Sequence, residues 1–205
     1  MNAARVLAVD VTGDGCAVGV WAGGTVAAAR DEPMRRGQAE RLVPMAGEAL
    51  AAAGLGWDEL DAVGVTTGPG GFTGVRIGLA AARGWGLALG IPVHGVSTFT
   101  AVWSGVAAAE RPVLVALDSK RADLYAQLLD ADGTALTAPA ALAPAALDAH
   151  LPEGAVVCVG SAADRAAEAL TAAGRAVDRL PGPDRPDPAA LARLAATGHG
   201  LVDTG

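Results

Sequence analysis

Lysine is all but missing from this chain. Of its 15 cationic residues only Lys120 is a lysine, and 22 acidic residues leave a formal net charge of −7. A protein this acidic cannot hold a polyanion over its whole surface, so a nucleic-acid role needs a local patch or a partner. The cluster Arg35, Arg36 and Arg41 reads as a solvated helix face. Aromatic residues are scarce at 3%, so the core must come from Ala, Val and Leu with backbones packed closely; 49 Ala and 28 Gly allow that. Two cysteines, Cys16 and Cys158, match no zinc spacing and read as buried thiols in a reducing compartment. No apolar run reaches the ~18–20 residues of a membrane span. Val6 to Val9 is too short for a signal-peptide core, and the chain reads as cytoplasmic. His94, His150 and His199 are scattered without acidic or cysteine companions, which leaves no metal set. With no H-E-x-x-H and no G-x-S-x-G either, no catalytic residue is assigned.

Hydrophobic residues amount to 52% and charged ones to 18% of 205 residues, the composition of a globular chain of one large or two small domains. Short apolar runs alternate with turn clusters. Arg5–Val9, Cys16–Trp21 and Thr25–Arg30 predict a three-stranded meander. Leu42, Met45, Ala46, Ala49, Leu50 and Ala53 fall on one helical face closed by Gly54, with Pro44 near the helix start. A strand at Asp61–Thr67, a helix at Thr73–Leu89 and a short strand at Pro92–Gly95 follow, and a helix opens at Ser97. The same order then recurs: strands at Pro112–Leu117, Leu124–Leu129 and Ala135–Thr137, a helix at Ala143–His150, a strand at Ala155–Gly160 and a helix at Ala162–Ala173. A proline-rich connector leads to a last helix at Ala189–Ala196. Two like-built α/β lobes, residues 1–109 and 110–205, each expected to be a mixed five-stranded sheet flanked by helices, resemble the actin-like (RNase H-like) fold. Asp10 and Asp118 then stand at equivalent strand ends.

The segment Gly68-Pro-Gly-Gly-Phe-Thr-Gly-Val-Arg-Ile-Gly78 carries the most information. A strand, a glycine turn and a helix start form anion-binding geometry, yet no Walker lysine is present and Thr73 breaks the dinucleotide pattern. A glycine turn needed only for strand–helix packing fits the spacing equally well. Asp10, Thr12, Gly70, Gly71, Thr73 and Asp118 are candidates for nucleotide or anion contact. Asp10 is followed by Val11-Thr12-Gly13 and Asp118 by Ser119-Lys120-Arg121, so the phosphate-wrapping Asp-Gly-Thr loop of a working ATPase is lacking. Beyond the turn, Gly74, Gly78, Ala82, Gly86 and Gly90 recur every four residues. Interior glycines cost ~1 kcal/mol each against alanine, so something approaches this helix closely, either an element of the same chain or a helix of another protein.

The glycine segment resembles the signature of the bacterial TsaB (YeaZ) family of tRNA threonylcarbamoyladenosine biosynthesis proteins, with Gly71 where Ser is usual. Leu7-Ala-Val-Asp10, Gly95-Val-Ser-Thr98 and Asp118-Ser-Lys-Arg-Ala-Asp-Leu-Tyr125 match further family segments in order, so the resemblance covers residues 5 to about 130. Gln38 replaces a frequent His, Lys120 an Arg, and the C-terminal tail is expected to be truncated. The resemblance implies a cytoplasmic, non-catalytic subunit without a cofactor beyond weak nucleotide binding. Its implied partners are a TsaD-like transferase and a TsaE-like ATPase, with a homodimer when alone, tRNA reached only through the complex, and no membrane. A partner interface is then expected at Gly74, Arg76, Gly78, Ala82 and Gly86, with Arg41, Leu42 and Met45. The rival reading is an actin-like ATP-binding enzyme or a glycoprotease-type peptidase.

Overall fold

The first apolar run forms β1 (Val6–Asp10), buried along its whole length. It pairs antiparallel with β2 (Gly15–Ala22), which pairs antiparallel with β3 (Thr25–Pro33). The computed structural model describes residues 4–106, 111–180, 182–198 and 200–202. His199 and part of the expected boundary between lobes lie outside the described residues. Helix α1 (Gln38–Ala52) buries Leu42, Met45, Ala46, Ala49 and Leu50 and is closed by Gly54 at φ 70°, as the period of its apolar residues requires. Pro44 lies within α1 on its exposed side, where water can serve the carbonyl that loses its amide partner. Next come β4 (Ala62–Thr66), α2 (Phe72–Leu89), β5 (Val93–Val96) and α3 (Thr98–Trp103). β1, β4 and β5 are mutually parallel neighbours.

The second half repeats this plan. Strands β6 (Val113–Asp118), β7 (Leu124–Leu129) and β8 (Ala140–Leu142) form an antiparallel meander. A 3-10 turn at Pro144–Ala146 runs into α4 (Leu147–His150), followed by β9 (Val156–Val159), α5 (Ala163–Ala172) and β10 (Val177–Arg179). Its sheet order, β10-β9-β6-β7-β8, mirrors β5-β4-β1-β2-β3 of the first. Asp10 and Asp118 are the last residues of the equivalent strands β1 and β6. The expected third strand at Ala135–Thr137 is instead a turn. Gly133 adopts φ 86°, Ala135 makes a single bridge to Leu129, and the strand begins only after Pro139.

The chain then returns. Helix α6 (Pro188–Thr197), capped by the Asp187 carboxylate accepting from Ala190 N at 2.8 Å, buries Leu191, Ala192, Leu194 and Ala195 against Val6, Ala8 and Ala62. Along β1 the alternate residues Leu7 and Val9 face α1 instead, so the central strands are covered on both sides. β11 (Leu201–Val202) pairs antiparallel with β5 and makes the first sheet six-stranded. Two units therefore result, Met1–Ala101 with Pro186–Gly205, and Val102–Arg185. This corrects the division into 1–109 and 110–205. The reason is close packing: a Cβ at Gly19 would stand 2.0 Å from Pro188 O, and one at Gly64 2.5 Å from Ala195 Cβ.

Candidate functional site

The glycine recurrence along α2 is explained inside the first unit. A Cβ at Gly74 would stand 1.9 Å from Val11 O; at Gly78 it would stand 3.2 Å from Val11 Cγ2 and 3.4 Å from Val65 Cγ2. At Gly86 it would stand 2.5 Å from Val93 Cγ2. Gly78, Ala82 and Gly86 are buried. The stripe lets α2 lie close on the β-branched surface of its own sheet, which settles the two alternatives in favour of the same chain. Gly74, Gly78, Ala82 and Gly86 are therefore unavailable to a partner helix. Leu42 and Met45, 1% and 0% exposed, belong to the same core and are corrected with them. Arg41 is committed to its own unit, with Nη2 2.6 Å from Glu32 Oε1 and Nη1 2.7 Å from Glu48 Oε1. Its hydrogen bonds hold both carboxyls below the ordinary carboxylate range. Of the eight expected interface residues Arg76 keeps an outward position, its Cζ 3.7 Å from the centroid of the Phe72 ring.

The outward sides of α1 and α2, which touch one another, expose large apolar side chains among charged ones. Val43 is 51% exposed, Phe72 69% and Leu87 87%. Gly47 and Gly84 lie mid-helix, and a Cβ there would meet nothing within 4 Å. Each gives up ~1 kcal/mol of helix stability against alanine, and no neighbour in the chain requires it. The sequence reading missed this side because α2 is apolar on nearly every face, so periodicity alone could not say which stripe points inward. The alternation of Val63 and Val65 in β4 was the available signal: such a surface needs small residues opposite it.

The candidate anion contacts are largely used by the protein itself. Asp10 is 2% exposed. Its Oδ1 accepts from Thr12 N at 3.2 Å, Thr12 Oγ1 at 2.6 Å and Thr66 Oγ1 at 2.5 Å, tying the end of β1 to β4. Gly71 N donates to Thr12 O at 2.7 Å, and a Cβ at Gly70 would stand 2.5 Å from that oxygen. The glycine turn is thus required for packing on the β1–β2 turn. Thr73 is exposed. In the second unit Asp118 Oδ1 accepts from Lys120 N at 2.9 Å and lies 3.5 Å from Arg165 Nη1. Lys120 itself takes φ 61°. Among the described residues no group of three or more His, Cys, Asp or Glu could hold a metal ion. His94 Nδ1 lies 2.8 Å from Ala195 O, and His150 Nε2 3.3 Å from Ala138 O. Both cysteines are free and buried. Burial pushes the Cys16 thiol up to about 11 and the Cys158 thiol up to about 12, so neither is a thiolate at neutral pH. Among the described residues no helix is long and apolar enough to cross a membrane.

The family model of TsaD, tRNA N6-adenosine threonylcarbamoyltransferase, matches residues 32–179, well over half of the chain. A stretch of 124 residues is 36% identical to the tRNA threonylcarbamoyladenosine biosynthesis protein TsaB of Escherichia coli strain K12. The chain belongs to the TsaB/YeaZ branch of the TsaD family. That TsaB match covers 59% of this chain and 53% of the relative, so the chain spans about half the length of the curated relatives it matches. A crystal structure from Pseudomonas aeruginosa, of a protein with similarity to peptidase YEAZ, superposes with a TM-score of 0.79 at 24% identity. The superposition covers 98% of this chain and 95% of that one. The ROK hexokinase of Thermus thermophilus follows at TM-score 0.52 and 18% identity, over 94% and 97% of the two chains. Both likenesses are of fold, and the second places this TsaB-family chain among actin-like ATPase folds.

Proposed function

We propose that this TsaB-family chain is a non-catalytic partner subunit. It would support a TsaD-type transferase in the threonylcarbamoyl modification of adenosine next to the anticodon of tRNA. The observation that carries the reading is the outward side of α1 and α2, where Val43, Phe72 and Leu87 are exposed and Gly47 and Gly84 meet no neighbour of the chain. Large apolar side chains left exposed on adjoining helices favour an interaction surface, and mid-helix glycines facing open space let a second helix approach closely. Asp10, spent on Thr12 and Thr66, supports a scaffold rather than a phosphate-handling role. On this reading a TsaE-like ATPase joins the pair, the chain alone forms a homodimer through the same side, and tRNA is met only through the complex. The test is a sizing column run with the chain, its cognate TsaD-type protein and their mixture. A mixed peak earlier than either component is the expected result, and unchanged separate peaks at micromolar concentrations contradict the reading.

A further inference from the structure

No further inference is drawn: the strongest candidate, the buried Thr98 hydroxyl at the start of α3, which has no hydrogen-bond partner among the described residues, carries nothing because a single enclosed hydroxyl on a helix of six residues does not make a ligand site.

Discussion

Gly78→Leu should lower the thermal midpoint, whereas Gly84→Leu in the same helix should leave it unchanged or raise it. At Gly78 even a Cβ comes within 3.2 Å of Val11 Cγ2 and 3.4 Å of Val65 Cγ2. Three further carbons must then displace the β1 and β4 surface on which the whole first unit is assembled. Overpacking of this kind costs ~1–3 kcal/mol. In a chain of this size that is a fall of about 2–12 °C in the midpoint. At Gly84 the space is open, so the substitution exchanges a poor helix former for a good one and gains up to ~1 kcal/mol. Thermal melts of both variants decide the matter. A Gly78→Leu protein that melts like the parent would show that the buried stripe is not packed as described.

The complementary prediction concerns the outer side of the same helix. Replacing both Phe72 and Leu87 by Asp should break the complex with the TsaD-type transferase without harming the fold. These side chains are 69% and 87% exposed, and substitutions at such positions usually change stability by no more than ~0.5 kcal/mol. If each is an interface anchor worth ~2 kcal/mol, the pair weakens binding several-hundredfold. Gly84→Leu should add a steric block of the same sign. Circular dichroism checks the fold, and titration calorimetry against the transferase measures the loss. Parental affinity in the double Asp variant would remove α2 from the interface.

The fold was legible wherever a local rule and the tertiary solution agree. The apolar face of α1, the Asp-terminated strands β1 and β6, and the glycine C-caps were all readable because period and turn chemistry fixed them. Three features were not. β10 and β11, three and two residues long, are too short to carry a period. The return of α6 to the first unit has no local signature, since its sequence would suit any apolar sheet. The orientation of α2 was misjudged because a helix rich in Gly, Ala and Leu offers two plausible inner faces. Small side chains won the inner place because the sheet beneath presents Val11, Val65 and Val93. Phe72 and Leu87 were left outside. Charge counting also grouped Arg41 with Arg35 and Arg36 on a solvated face, whereas Arg41 pairs with Glu32 and Glu48 of its own unit.

The docking reading and the buried stripe meet in one assay, tRNA modification reconstituted from purified parts. The cognate TsaD-type transferase is supplied with threonylcarbamoyl-adenylate, substrate tRNA and the TsaE-like ATPase, with and without this chain, and modified adenosine is quantified. Modification should depend on the chain, fail with the Phe72→Asp, Leu87→Asp variant, and be absent when the chain is incubated without the transferase. Equal modification with and without the chain, or modification by the chain alone, would contradict the assignment of a non-catalytic supporting subunit.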